Sequence, residues 1–201
     1  MTPESFVQDW TYSDIRRIVG NTAVLPGESA SFVEVTGLPE RISTFYGENY
    51  GLLSSDISGR NPEDPGILTV FQDTNIRLLY RQIITRREIV GMMLNHPQSV
   101  MDLVRSFKYY IGIDCQLGYI VRFDSTLTSL QLVNTSLMAF LESMLLLQKL
   151  TVRIRDWENL PDGRFLRIGR TLRRHLYLTD RQALRNIRYF WPDELQEKYR
   201  Q

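Results

Sequence analysis

The side chains best suited to catalysis or metal binding are few in this sequence. It contains one cysteine, Cys115, and two histidines, His96 and His175, which lie far apart along the chain. A zinc site needs several cysteine, histidine or carboxylate ligands at workable spacing, and the sequence has no such cluster. Cys115 could form a nucleophilic pair with a histidine only if folding happened to bring the two together. The sequence therefore predicts no metal site, no cofactor and no enzymatic activity.

Two other patterns could support catalysis or nucleic-acid binding. Asp114 and Asp124 flank a predicted hairpin and could form a catalytic pair, although aspartates are common at strand ends and turns. The run at 170–191 carries arginines with interleaved aromatic residues, as in a nucleic-acid-binding helix. Because these arginines recur around the helix and the net charge is only +1, we favour a solvated helix face whose arginines pair with nearby carboxylates. Nucleic-acid binding is therefore not expected.

Charge is distributed unevenly along the chain. Residues 1–66 carry four basic and ten acidic side chains, whereas residues 151–201 carry twelve basic and seven acidic ones. The two ends could attract each other within one domain, or the acidic region could form a face that binds a basic partner. Residues 47–66 are rich in turn-forming residues, and loops commonly display binding residues. The second interpretation predicts the following partner-binding residues: Glu40, Glu48, Asp56, Glu63 and Asp64.

Length and composition are typical of one folded domain. The chain has 201 residues, of which 43% are hydrophobic and 23% are charged. The single cysteine excludes an intramolecular disulfide and favours a reducing compartment. The first residues lack the basic and apolar regions of a signal peptide, and the longest apolar run, 144–147, is far too short to cross a membrane. The expectation is a cytoplasmic protein without a membrane partner.

The most regular patterns lie at 108–150. Residues 108–123 resemble two strands around a turn in which Gly118 can adopt a left-handed conformation, which predicts a β-hairpin. Residues 130–133 predict a further strand. Apolar residues at helical spacing then predict a buried helix over 135–150, with Asn134 or Thr135 as its N-cap.

Other segments are less regular. Helical spacing predicts a short helix near 6–10 and a second helical turn near 15–19. Residues 66–74 favour a strand, 76–84 could form another, 85–94 favour a helix, and 99–107 favour a short amphipathic helix or a turn. Near the C-terminus, the sequence predicts a turn at 161–165, a helix over 164–179 that is interrupted at Gly169, and a helix over 180–191 capped by Thr179 or Asp180.

The segment 108–150 resembles the SUKH superfamily, and within it the immunity proteins found beside bacterial polymorphic toxins. The shared pattern is an aromatic-rich strand ending in Ile-Gly, an Ile-Asp hairpin with a glycine, and a Val-Asn-x-Ser-Leu sequence that opens a helix. An early Gly-Leu-Pro sequence at 37–39 also matches. The motif residues to which the resemblance gives a structural role are Gly112, Asp114, Gly118, Asn134, Ser136, Leu137 and Phe140.

This resemblance implies both a fold and a function. The fold is α+β, with helices before and after an antiparallel β-meander. One domain spans 1–201, with an insertion at about 74–107 and a basic helical part at about 161–201. The function is that of a non-enzymatic immunity protein, which neutralises a cognate toxin, for example a nuclease, by stoichiometric binding. The alternative is a SUKH-like regulatory or scaffold protein without a toxin partner, and an enzyme is the least favoured of the three.

Overall fold

The computed structural model describes residues 2–11, 13–18, 22, 25–44, 48–53, 71, 73–83, 109–124, 126–151, 162–186 and 188–196. The helices are α1 (Pro3–Asp9), α2 (Gly27–Thr36), α3 (Leu137–Thr151), α4 (Asp162–Thr179) and α5 (Phe190–Gln196), and a 3-10 helix spans Arg181–Leu184. The strands are β1 (Ile15–Arg16), β2 (Leu38–Pro39), β3 (Arg41–Ser43), β4 (Asn49–Leu52), β5 (Ile76–Ile83), β6 (Tyr109–Asp114), β7 (Ile120–Asp124) and β8 (Leu130–Asn134).

The strands from β3 to β8 form one antiparallel sheet in chain order. Each strand therefore pairs with its neighbours in sequence, which is the predicted meander. β1 and β2 form a separate antiparallel pair. Because α1 and α2 precede the sheet and α3 to α5 follow it, the predicted α+β class is confirmed.

Both faces of the sheet are buried. One face, which includes Tyr80 and Ile111, belongs to the main core and packs with α3 residues such as Leu137 and Phe140. Burial on both sides explains why β7 has no polar–apolar alternation and is buried at every position. The opposite face carries a second buried cluster, which consists of Leu53, Ile76, Leu78, Val121 and Phe123.

The predicted hairpin is confirmed as β6 and β7. Their pairing runs from Tyr109 opposite Asp124 to Ile113 opposite Ile120. The turn brings the amide of Gly118 to within 2.7 Å of the Asp114 carbonyl oxygen, and φ of Gly118 is 74°. Glycine adopts this left-handed conformation at little cost because it has no Cβ atom. The predicted strand at 130–133 and the helix at 135–150 are also confirmed, as β8 and α3.

Gly112 has no room for a side chain, which gives a stability prediction. A Cβ atom there would lie 2.6 Å from Cγ2 of Ile76 and 2.8 Å from the backbone oxygen of Arg77. We expect Gly112→Ala to lower the free energy of unfolding by about 1–3 kcal/mol, the usual cost of overpacking. Gly163→Ala is the matched control, because nothing lies within 4 Å of its added methyl group and alanine favours a helix. Urea unfolding compares the two variants, and equal losses of stability would contradict the packing described.

The N-terminal prediction was half right. The helix near 6–10 is confirmed as α1, which Thr2 and Ser5 close with a reciprocal capping box. The helical turn predicted near 15–19 is wrong, because Ile15 and Arg16 form β1 opposite β2. Pairing with a segment distant in sequence has overridden the local helical spacing.

Two C-terminal predictions about α4 are wrong. This helix continues through Gly169 without a break, and it begins at Asp162, where a turn was predicted. Glycine costs a helix about 1 kcal/mol. Burial of Ile168, Leu172 and Leu176 along one side of α4 offsets that cost.

The single helix predicted over 180–191 is also wrong. A 3-10 helix, Arg181–Leu184, is followed by the separate helix α5, and Pro192 lies in the first turn of α5. Asp180 precedes the 3-10 helix but makes no side-chain capping hydrogen bond to it. Its carboxylate instead binds residues of the β8–α3 junction, as described below.

The segment predicted as an insertion, about 74–107, begins with a strand of the sheet. β5 occupies residues 76–83 and lies between β4 and β6. Residues 84–108 lie outside the described residues, so the remainder of the insertion, the helix at 85–94 and the helix or turn at 99–107 stay predictions. The strand at 66–74 is also largely outside them.

Candidate functional site

A buried hydrogen-bond network lies at the junction of β8 and α3. The side-chain nitrogen Nδ2 of Asn134 donates to Oδ2 of Asp180 at 2.9 Å, and Oδ1 of Asn134 accepts from Nε1 of Trp191 at 3.1 Å. The same Asp180 carboxylate accepts from the backbone amide of Thr135 at 2.7 Å and from its hydroxyl group at 2.9 Å. This network, the Asp180 network below, ties the sheet to the C-terminal elements. Its role is structural.

The N-cap of α3 is Ser136, whose Oγ accepts a hydrogen bond from the amide of Ala139 at 3.1 Å. The prediction that Asn134 or Thr135 caps this helix is therefore wrong. Both of those side chains bind Asp180 instead. A carboxylate that lies 46 residues from Asn134 in sequence gives no local signal of this contact.

The remaining motif residues also have structural contacts. Asp114 stabilises the hairpin turn, because its Oδ1 accepts from the amides of Gln116 and Leu117 at 2.8 and 3.0 Å. Leu137 and Phe140 are fully buried under the sheet. With the two glycines described above, every motif residue thus contributes to the scaffold, and none of them displays a reactive group at the surface.

Asp114 and Asp124 do not form a catalytic pair. Asp124 lies opposite Tyr109, five residues from Asp114 along β6, so their backbones are roughly 16 Å apart. Burial alone would raise the pKa of Asp124. Hydrogen bonds from Thr128 and Thr126 outweigh that effect and hold the pKa below its ordinary value. Each aspartate is therefore committed to its own turn.

The groups that could act as nucleophile or metal ligand are poorly placed among the described residues. Burial raises the pKa of the Cys115 thiol, although Arg77 opposes the shift, and a thiol of raised pKa is a weak nucleophile. His175 lies on α4, where burial lowers its pKa, and His96 lies outside the described residues. In the described part of the chain, no group of three or more histidine, cysteine or acidic side chains is arranged to hold a metal ion.

The two described members of the predicted acidic face are engaged within the protein. Oε1 of Glu40 lies 2.6 Å from Nη2 of Arg16, and Oε2 of Glu48 lies 3.2 Å from Nη2 of Arg122. Arg122 is buried, and its guanidinium group lies 4.0 Å from the ring centre of Tyr109. Both carboxylates are therefore already paired with arginines of the same chain. The other three predicted residues, Asp56, Glu63 and Asp64, lie outside the described residues.

The solvent side of α4 has the opposite charge. We call it the arginine face, and it consists of Arg164, Arg167, Arg170, Arg173 and Arg174, all of which are exposed. Arg167, Arg170 and Arg174 follow an i, i+3, i+7 spacing and so lie along one stripe of the helix. Of the arginines in the run 170–191, which were expected to recur around a helix without one clear stripe, Arg170 and Arg174 lie on this stripe, Arg173 lies beside it, and the others lie beyond α4.

The arginine face lacks compensating charges within the described part of the chain. None of its five arginines forms an ion pair there, unlike Arg16 and Arg122. The ion pairs expected for the arginines of 170–191 are thus not seen at Arg170, Arg173 or Arg174 within the described residues. Like charges three or four positions apart destabilise a helix by about 0.2–0.5 kcal/mol per pair. The stripe consequently carries a small cost that a negatively charged partner would remove.

A pocket of about 330 Å³ opens beside the arginine face. Its lining combines Leu150 of α3 with Ile168, Thr171 and two of the arginines, Arg164 and Arg167, of α4. Such a lining suits an apolar group that has a carboxylate next to it.

The C-terminal end of α4 also exposes apolar surface. Tyr177 is 53% exposed and Leu178 is 74% exposed. The guanidinium group of Arg181 lies 4.9 Å from the ring centre of Tyr177. The spacing of Arg167, Arg170 and Arg174 in the sequence was a signal for the arginine face. The predicted break at Gly169 separated Arg167 from the other two, so the signal was missed.

A second pocket, of about 230 Å³, lies on the sheet near β3, β4 and β5. Its lining includes Arg16, Arg41, Arg81 and Glu40. Because Glu40 already binds Arg16, this pocket is partly neutralised, and the arginine face is the stronger candidate for binding a partner.

No helix among the described residues combines the length and apolar character needed to cross a lipid bilayer. Comparison of the chain with protein-family models, curated proteins and solved structures found no significant match. The resemblance stated above therefore rests on the residues of the chain itself.

Proposed function

We propose that this protein is a non-enzymatic immunity protein that neutralises a cognate toxin by binding it. The proposal rests on the similarity of 108–150 to SUKH immunity proteins. The observation that carries it is that this segment forms one continuous unit, two hairpin strands, a third strand and a buried helix. Its motif residues maintain that unit through the contacts described above.

The separation between buried structural residues and exposed residues of α4 supports a binding function. The motif residues are buried or committed to turns, whereas the arginines of α4 are exposed and lie outside the core. A binding protein needs only a stable scaffold and a complementary surface, because occluding a toxin requires no bond to be made or broken. On this proposal the protein acts in the cytoplasm, where Cys115 stays reduced.

The test is co-expression with the product of the gene that flanks the gene for this protein. If that product is toxic, we expect co-expression to restore growth of the host. In vitro, the purified toxin should lose its activity at one equivalent of this protein and no earlier. Rescue of growth together with a one-to-one titration end point would support the proposal. Inactivation by far less than one equivalent would indicate an enzyme and contradict it.

The alternative is a SUKH-like regulatory or scaffold protein without a toxin partner. That function also needs a protein partner, but expression of the partner alone would leave growth of the host unchanged. Isolation of a stable complex whose partner is harmless to cells would favour this alternative over immunity.

A further inference from the structure

We propose that the arginine face and the pocket beside it form the docking surface for the protein partner, and that the partner presents carboxylates next to apolar side chains. This inference deepens the proposed function and rests on it for the statement that the partner is a protein. It also locates binding on α4 and not on the acidic residues of the first third of the chain.

The charge of the surface defines the charge of the partner. The stripe of Arg167, Arg170 and Arg174 extends roughly 10 Å along the helix axis. A guanidinium group binds a carboxylate through two parallel hydrogen bonds, and these arginines have no described carboxylate partner within the chain. An acidic segment of the partner laid along α4 would supply the missing counter-charges.

The apolar parts of the surface favour a protein over a nucleic acid. The pocket offers Leu150 and Ile168 at one end of the stripe, and Tyr177 and Leu178 are exposed at the other. The phosphate groups of a nucleic acid are charged and would not make a favourable contact with an exposed leucine side chain. Exposed arginine and tyrosine side chains near apolar groups are instead typical of the residues that dominate the binding energy of protein interfaces.

The spacing of these features describes the partner segment further. Ile168 and Leu178 are separated by roughly 15 Å along the helix axis. We therefore infer a partner segment with one apolar side chain for the pocket, a run of carboxylates over the stripe, and a second apolar side chain against Tyr177 and Leu178. A basic, nucleic-acid-binding surface of a nuclease would be repelled by α4.

The binding test uses fluorescence anisotropy with labelled synthetic probes. The first probe is a short peptide of glutamates with a leucine or phenylalanine near each end. The second is a polyglutamate peptide of the same charge, and the third is an oligonucleotide of matched charge, both single-stranded and duplex. The double variant Arg170→Glu with Arg174→Glu reverses the stripe. Its matched control, Arg17→Glu with Arg41→Glu, changes the net charge equally at two arginines that are also exposed.

We expect the first peptide to bind most tightly, and its affinity to fall as salt is added. Reversal of Arg170 and Arg174 should weaken it by about tenfold or more, and the control pair should change it by less than about threefold. Thr171→Trp, which fills the pocket, should weaken the first peptide but not polyglutamate. Circular dichroism and thermal unfolding would verify that each variant is folded.

Several results would overturn the inference. Tighter binding of the oligonucleotide would make α4 a nucleic-acid surface, and equal effects of the two double variants would show only non-specific attraction. No binding of the first peptide at low salt would also contradict it. The proposed function and this inference fail separately. If reversal of Arg170 and Arg174 left the neutralisation of a toxin unchanged, the immunity function would stand and the arginine face would be excluded as the docking surface.

Discussion

Replacing Asp180 by alanine is expected to destabilise the protein by about 2–6 kcal/mol. The substitution removes the acceptor for the buried side-chain amide of Asn134 and for the partly buried backbone amide of Thr135, and a buried donor left without a partner costs about 1–3 kcal/mol. Asp180 is itself only 4% exposed, so water cannot readily replace it. Denaturant unfolding, followed by tryptophan fluorescence to which the buried Trp10 and Trp191 contribute, measures the loss.

Two further variants make the Asp180 prediction specific. Asp180→Asn keeps one side-chain oxygen as an acceptor and should lose less stability than Asp180→Ala. Asp9→Ala removes a half-exposed carboxylate that pairs with Lys149, and should cost at most about 1 kcal/mol. If Asp180→Ala proved no more harmful than Asp9→Ala, the Asp180 network would not join the sheet to the C-terminal elements as described.

Replacing Phe140 by alanine is expected to lower the free energy of unfolding by about 3–5 kcal/mol, the usual range for truncating a buried aromatic side chain. Phe140 is fully buried, and its ring centre lies 6.3 Å from that of Tyr80 on the sheet. Because the ring fills the space between α3 and the sheet, alanine would leave a cavity there.

Leu130→Ala is the control for Phe140→Ala. Leu130 is 58% exposed, and we expect its truncation to change stability by no more than about 0.5 kcal/mol. Urea unfolding of both variants tests the packing of α3. A loss below about 1 kcal/mol for Phe140→Ala would place the ring outside a close-packed core.

These stability experiments also separate scaffold from surface. Arg170 and Arg174 are exposed, so their reversal should leave the unfolding free energy nearly unchanged while it weakens binding. Substitution of Gly112, Asp180 or Phe140 should instead lower the unfolding free energy, without removing any residue of the arginine face. A variant that changes binding without changing stability is the one that reports on the partner.

The elements predicted correctly are those whose signals are local. The hairpin of β6 and β7 follows from two strand-like segments joined by a short turn with Gly118. The helices α3 and α1 follow from apolar residues at helical spacing. In each case the residues that determine the element lie within a few positions of one another.

The errors occurred where distant segments decide the structure. Ile15 and Arg16 became a strand because residues 38–39 pair with them. Gly169 stayed helical because neighbouring apolar residues of α4 are buried in the core. Asp180 did not cap the following helix because Asn134 and Thr135 bind its carboxylate.

The candidate site shows the same division. The sequence by itself determined the acidic excess of residues 1–66, the arginines of the C-terminal part and the scarcity of catalytic side chains. Only the tertiary structure decided which charges are compensated, since Glu48 and Arg122 meet across 74 residues of sequence. An ion pair depends on distance in space, which composition does not specify. Only the continuous α4 helix, with one side held against the core, placed its arginines together in water.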